Sequence, residues 1–268
     1  MFVIDVPYFN LNHIYNSGQA PRWIKLKKSK YVIPFKDKAL KIEQQRDRFD
    51  LTRHRLILSC TEEDFYNIWF DYFDLKTDYS AENAKVKSLG KKFKMIANYG
   101  HGIHILNQDK FEMFIFSRMA VHVGYERASV AINHIAETCG VCHTQSMREV
   151  GKITWYEFPT PEMILEKFDK LKRMGEINLW LKSICDAIVT GFDVAESDNE
   201  LFKLFGMHET NAFPLIGIEK TLMKNFDVNP EEFADWYLDG VKNKGLVYTY
   251  ILHRVLAKPD KVESHGSY

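Results

Sequence analysis

Ser17-Gly18-Gln19-Ala20-Pro21-Arg22-Trp23-Ile24-Lys25-Leu26-Lys27 runs from a turn into a stretch where apolar and basic residues alternate. Alternation with period two puts successive side chains on opposite faces, the mark of a half-buried strand. The same pattern recurs in Tyr31-Val32-Ile33-Pro34-Phe35, Ala39-Leu40-Lys41-Ile42 and Arg55-Leu56-Ile57-Leu58. Short strands separated by polar turns predict an antiparallel sheet over roughly the first sixty residues. Pro34 lacks an N–H to give to a ladder, so it belongs at a strand end or edge.

The period then changes. Thr61-Glu62-Glu63-Asp64 has a capping threonine followed by acids that suit the positive end of a helix dipole. Phe65, Ile68, Trp69, Tyr72 and Phe73 follow at three- and four-residue spacings, which predicts an amphipathic helix with a core-facing stripe. From Ser80 onward the helical period dominates. The stretch from Asp109 to His122 is apolar nearly all round through Phe111, Met113, Phe114, Ile115 and Phe116, as in a helix buried within a bundle. Further helices are predicted near residues 126–138, 161–173, 178–189, 198–205, 213–226 and 230–257, with Thr160-Pro161-Glu162 as a helix start. The fold class is therefore α+β. An N-terminal antiparallel β domain with a hinge helix spans 1–78, a mostly α-helical domain spans 79–257, and a polar tail expected to be disordered spans 258–268.

Composition narrows the function. Thirty-six basic and thirty-six acidic residues cancel, so any affinity for a polyanion rests on local patches, such as Arg22, Lys25, Lys27, Lys28 and Lys30 or Lys85, Lys87, Lys91, Lys92 and Lys94. No run approaches the roughly 20 apolar residues of a membrane span, and Met1 to Asn10 lacks the pattern of a signal peptide. A cytoplasmic setting is expected, bacterial or that of a phage-infected host, with no membrane partner. Cys139-Gly-Val-Cys142-His143 resembles half a zinc site or a redox pair. No second cysteine pair completes four ligands, and the motif closes a predicted helix where a thioredoxin-type pair follows a strand. No metal and no cofactor are expected.

Several fragments together resemble the 8-oxoguanine DNA glycosylases, within the helix-hairpin-helix DNA glycosylase superfamily. Ser17 to Trp23 resembles the SGQ(S/A)FRW signature of their N-terminal domain. Asp71-Tyr72-Phe73-Asp74-Leu75 with Asp78-Tyr79 resembles their hinge into the helical domain. Gly102-Ile103-His104-Ile105-Leu106-Asn107-Gln108-Asp109 with Glu112 resembles their G-(I/V)-R-(I/L)-L-R-Q-D-x-x-E block. Arg127, Ile132 to Gly140, Phe158-Pro159-Thr160-Pro161, and Phe213-Pro214 with Lys220 and Met223 fall in family order. The resemblance implies base flipping from double-stranded DNA. It places Gly18, Gln19 and Arg22 in the loop whose glycine carbonyl reads the flipped base, and Arg127 against the orphaned partner base.

The departures fall on the catalytic centre. The family's lysine attacks the sugar and forms a Schiff base, and an aspartate assists it. If Phe213-Pro214 anchors the register, Ile216 stands at the aspartate position. If Glu200 to Gly206 anchors it, the hairpin reads Gly206-Met207-His208-Glu209-Thr210, with Thr210 in place of lysine. Neither register supplies the pair, and Lys203 and Lys220 are displaced substitutes. Val121-His122-Val123-Gly124 replaces the asparagine run that plugs the vacated base stack.

Three functions fit this pattern. The leading expectation is a base-modifying transferase, similar to the phage α-glutamyl/putrescinyl thymine pyrophosphorylases, that places an amine or amino acid on pyrophosphorylated 5-hydroxymethyluracil. Cations around a diphosphate leaving group and a base for the amine would serve that chemistry. Arg118, Arg127 and Lys220 are the candidate cations, and His122, Glu219 and His104 the candidate bases. The alternative is a glycosylase with a non-standard catalytic residue, Glu209 or Glu219. The third is a non-catalytic reader of modified DNA.

Overall fold

The computed structural model describes residues 1–46, 53–171, 174–191 and 244–257. Five strands form one antiparallel sheet: β1 (Phe2–Pro7), β2 (Ile24–Lys27), β3 (Lys30–Phe35), β4 (Lys38–Arg46) and β5 (Arg53–Leu58), in the order β1-β5-β4-β3-β2. A short helix α1 (Leu11–Tyr15) interrupts β1 and β2. The sheet agrees with the alternation read from the sequence, with two additions. Phe2–Pro7 supplies an edge strand, and Leu11–Tyr15 a helical turn capped by the Asn10 side chain, which accepts from the Asn12 and His13 amides. Pro34 pairs with Ala39 of β4, while β2 ends its pairing with β3 at Val32, so the missing N–H costs no ladder bond on that side.

The inner face of the sheet carries Tyr31, Ile33, Leu40, Ile42, Leu56 and Leu58 against Phe65, Trp69, Tyr72 and Phe73. Those aromatics come from a helical segment of three parts: α2 (Glu62–Asp64), a π-helical turn (Phe65–Trp69) and α3 (Phe70–Tyr72). Thr61 starts it as expected, its Oγ1 accepting the Asp64 amide at 3.0 Å.

The helices follow: α4 (Tyr79–Ser88), α5 (Lys91–Tyr99), α6 (Lys110–Val123), α7 (Tyr125–Cys139), α8 (Pro161–Glu166), α9 (Glu176–Val189) and α10 (Lys244–Ala257). Met113, Ile115, Phe116 and Met119 of α6 are buried against Ala128, Ile132 and Ile135 of α7, with Leu181 and Cys185 of α9. Helix α10 packs Leu246, Val247, Tyr250 and Ile251 on Phe93, Ile96 and Ala97 of α5. The predicted helices at 198–205 and 213–226, the start of 230–257 and the tail at 258–268 lie outside the described residues.

One feature of the helical half escapes periodicity. Strands β6 (Cys142–Met147) and β7 (Gly151–Tyr156) form an antiparallel hairpin, and its Met147 and Trp155 pack on Val32 and Ala39, the outer face of the sheet. Cys142-His-Thr-Gln-Ser is exposed or half-exposed and polar on both faces, so it shows no alternation to read. Cys139 is buried and Cys142 exposed. Among the described residues no cluster of His, Cys, Asp or Glu could hold a metal ion, and no helix is long and apolar enough to cross a membrane.

Candidate base-binding loop and DNA-contact residues

The loop from Ser17 to Trp23 is built by its own buried polar groups. Ser17 Oγ donates to the Ile14 carbonyl at 2.7 Å and accepts from Gln19 Nε2 at 2.9 Å. Gln19 is only 2% exposed. Its Nε2 also donates to the His104 carbonyl at 2.8 Å, its Oε1 accepts the Leu106 amide at 2.8 Å, and its own carbonyl accepts from Gln108 Nε2. One side chain thereby ties the loop to the extended segment 103–109. Between Ser17 and Gln19 stands Gly18 at φ 87°, a backbone conformation that strains any residue with a Cβ. The sequence calls for glycine here because the chain turns left-handed between two anchored neighbours.

Arg22 fastens the other end of the loop. Its Nη1 pairs with Glu112 Oε2 at 3.1 Å, and Nη2 donates to the Tyr156 carbonyl of β7. Both side chains are nearly covered, at 9% and 15% exposure. Burial pushes the Glu112 carboxyl above its ordinary range, and the Arg22 guanidinium pulls against that shift. Asp109 caps α6 by accepting the Glu112 amide at 2.9 Å, which fixes where Glu112 sits. Trp23 Nε1 donates to Tyr72 Oη at 2.8 Å, and Asn133 Nδ2 of α7 donates to the Pro21 carbonyl at 3.3 Å. Sheet, hinge, α6, α7 and hairpin all hold this one loop.

These contacts correct two sequence-based roles. Gln19 and Arg22 face inward: Gln19 Nε2 and Oε1 and Arg22 Nη1 and Nη2 bond to protein groups on either side of Gly18. His104 is likewise internal, at 3% exposure. Its Nδ1 lies 3.0 Å from the Phe73 carbonyl and its Nε2 2.9 Å from the Tyr8 carbonyl, and Tyr79 stacks on the ring at 4.1 Å. Burial holds its pKa below the ordinary value. With both nitrogens engaged and no open face, His104 cannot serve as the base for an incoming amine. It joins β1's exit to the hinge, where Tyr79 Oη donates to Asp74 Oδ2 at 2.8 Å.

Arg118 is half-buried on α6, with its guanidinium 5.8 Å from the Phe114 ring centroid. Arg127 stands exposed in the first turns of α7, just beyond Gly124 at φ 83°. Of His122 the structure describes only its backbone within α6. Glu219, Lys220, Lys203, Glu209, Thr210 and Ile216 lie outside the described residues, so the catalytic half of the expectation has no geometry here.

A residue that sequence reading passed over closes the other side of the loop. His253 of α10 is 2% exposed and bonds the backbone of Asn16, immediately before Ser17. Its ring lies 5.0 Å from those of His13 and Tyr99, and its buried Nδ1 has no hydrogen-bond partner among the described residues. Burial lowers its pKa to about 4. The only sequence signal was a histidine inside the apolar run Tyr250-Ile251-Leu252.

Comparison with known proteins gives the fold a wider setting. The family model "8-oxoguanine DNA glycosylase, N-terminal domain" matches residues 1–114. Crystal structures of the Clostridium acetobutylicum 8-oxoguanine glycosylase/lyase superpose over nearly the whole chain. The complex with double-stranded DNA containing cytosine opposite 8-oxoguanine gives a TM-score of 0.74 at 22% identity, covering 97% of this chain and 99% of that one. The apo form gives 0.73 at 22% identity, covering 94% and 96%. The 3-methyladenine DNA glycosylase of Archaeoglobus fulgidus is more distant, with a TM-score of 0.64 at 12% identity over 98% and 100%. No curated protein sequence matches. The chain thus has the fold of an 8-oxoguanine DNA glycosylase: a small antiparallel sheet followed by a helical domain.

Proposed function

We propose that this chain is a DNA glycosylase that binds double-stranded DNA, draws one damaged or modified nucleotide out of the duplex and releases its base. The observation that carries the reading is the Ser17–Trp23 loop, where Gln19 and Arg22 hold Gly18 rigid within a glycosylase fold. A pocket wall fixed before binding loses little entropy when an extruded base arrives, which offsets part of the few kcal/mol that flipping costs. In this reading residues 1–78 form the sheet domain with its hinge, and 79–257 the helical domain. Arg127 contacts the backbone or the orphaned partner base, and His122 stands in for the plug. The family's Lys/Asp pair is absent from either register, so release proceeds by activated water with Glu209 or Glu219 as the base.

A second reading rests on that same absence. A transferase that places an amine on an activated thymine analogue requires no Schiff-base lysine, and Arg118, Arg127 and Lys220 would face its diphosphate leaving group. One experiment separates the two. Duplexes bearing 8-oxoguanine are incubated with the protein and borohydride, and the nucleosides are read by mass spectrometry. Free base without a trapped covalent adduct is expected. A new base formed only from pyrophosphorylated hydroxymethyluracil DNA plus amino acids would replace the glycosylase reading with the transferase. Tight binding with neither product would leave a reader of modified DNA.

A further inference from the structure

A groove of about 1090 Å³ runs along the outer face of the five-stranded sheet, between the strands and the β6–β7 turn, away from the polar network that holds Gly18. Lys27, Lys30, Lys41 and Arg148 line it, with Glu43 and Glu149 as the acids. Two of the cations are structural. Lys30, 6% exposed, bridges Glu43 at 3.1 Å and Glu149 at 2.9 Å, and Lys41 Nζ donates to the Arg148 carbonyl at 2.7 Å. These bonds clamp the hairpin turn, in which Glu149 takes φ 69°.

The opposite rim is clamped as firmly. The β2–β3 turn is fixed at Ser29, whose amide donates to Asn12 Oδ1 at 2.9 Å, whose Oγ accepts from Asn12 Nδ2 at 2.8 Å, and whose carbonyl accepts the Gln44 amide at 2.8 Å. Two rigid turns therefore flank the groove, and each carries exposed cations: Lys27 and Lys28 on one, Arg148 on the other. None of these three forms an ion pair with a described residue. Among the described residues that line the groove, the four cations Lys27, Lys30, Lys41 and Arg148 outnumber the two acids Glu43 and Glu149, in a chain of zero net charge.

The lining decides the ligand. Among the described residues no aromatic side chain borders the groove, so a nucleobase would find no stacking platform on them. The volume exceeds the usual range for small-molecule pockets, roughly 300–1,000 Å³. Exposed cations on both rims of a groove that also shows Leu26, Ile57 and Val150 suit a repeating phosphate backbone better than a single small ligand. We propose that Lys27, Lys28 and Arg148 form a second DNA-contact surface, which holds the duplex backbone at a distance from the flipped nucleotide. This rests on the reading that the chain works on double-stranded DNA.

The test compares two duplexes with the same central 8-oxoguanine, one of 11 and one of 25 base pairs (about one and just over two turns), by fluorescence anisotropy across a salt series. The triple variant K27Q/K28Q/R148Q is set beside wild type, after its melting temperature is shown to be unchanged. The expected result is about tenfold weaker binding of the 25-mer at 0.1 M salt, with the slope of log K against log salt shallower by about two to three. Binding of the 11-mer should be unaffected, and K27R/K28R/R148K should restore the 25-mer. Unchanged binding of the 25-mer, or equal weakening of both duplexes, would overturn the proposal while leaving the glycosylase reading intact. Failure of wild type to bind either duplex would instead remove the glycosylase reading, and this proposal with it.

Discussion

The Ser17–Trp23 loop and the start of α7 were both read as DNA-facing, and they are built in opposite ways. In the loop, Gln19 is buried and the Arg22 side chain nearly covered, and they bond to segment 103–109, to Glu112 and to β7. At the start of α7, Arg127 is exposed. Gln19 and Arg22 can alter function through the shape they impose on the loop, whereas Arg127 is open to a partner. The contrast teaches that polar residues of a recognisable motif can be turned inward to shape a loop rather than outward to meet a ligand.

Substitutions can break or sharpen that contrast. The largest effect is expected from Arg22→Met, which strands the Glu112 carboxylate in a covered position. Loss of one partner of a buried pair costs about 3–5 kcal/mol. Urea unfolding should show this loss, and Arg22→Met combined with Glu112→Leu should recover most of it. A cost below about 1 kcal/mol for the single variant would mean that the pair is effectively solvated.

Gln19→Leu comes next. It leaves the Leu106 amide and the His104 carbonyl without their partner, at about 1–3 kcal/mol for each buried group left unsatisfied. Affinity for lesion-bearing duplex should fall further than affinity for undamaged duplex, because Gly18 loses its anchor. Equal losses on both duplexes would deny the loop any part in reading the base.

Acid should loosen the same loop through His253. Its folded pKa of about 4 lies below its ordinary 6.5. As pH falls from 6.5 towards 4, the unfolded chain takes up a proton that the folded chain refuses, so stability is lost over that window. The loss reaches up to about 3 kcal/mol at the acid end. Burial lowers His101 and His104 in the same direction. Thermal melts from pH 7 to pH 4 should therefore show a steep decline in wild type and a shallower one in His253→Gln. Parallel declines would remove His253 from the account. The smallest effect on stability belongs to Arg127→Ala, expected within about 0.5 kcal/mol of wild type. Its DNA affinity should nonetheless drop, with a salt slope shallower by about one; unchanged affinity would leave Arg127 an ordinary surface residue.

Much of the sheet was legible because Leu40, Ile42, Leu56 and Leu58 face the core while Lys41, Glu43, Arg55 and Ile57 between them are open or half-open, which writes period two into β4 and β5. Strand β3, buried on both faces from Lys30 to Ile33, read as a strand by its β-branched and aromatic residues. Helix starts at Thr61 and Thr160 were legible because capping chemistry is local: each side chain accepts an amide three residues on. The β6–β7 hairpin was hidden, since only Met147 and Trp155 of its strands are fully buried and β6 before Met147 is polar on both faces. The site was legible in place more than in role. Glutamine, arginine and histidine read the same whether their polar atoms face a ligand or a backbone carbonyl, and only the fold decided that Gln19, Arg22 and His104 face inward. His253 showed only as a histidine in an apolar run, because its partner, the Asn16 backbone, lies far away in the chain.

Base extrusion itself is the claim on which the rest depends. It is read most directly with 2-aminopurine placed beside an 8-oxoguanine in a duplex, its fluorescence followed as protein is added while anisotropy reports binding. A fluorescence rise that saturates together with binding, and that is reduced in Gln19→Leu at matched occupancy, is the predicted result. Saturated binding with the fluorescence of the free duplex would show that the helix stays stacked, and would contradict the account.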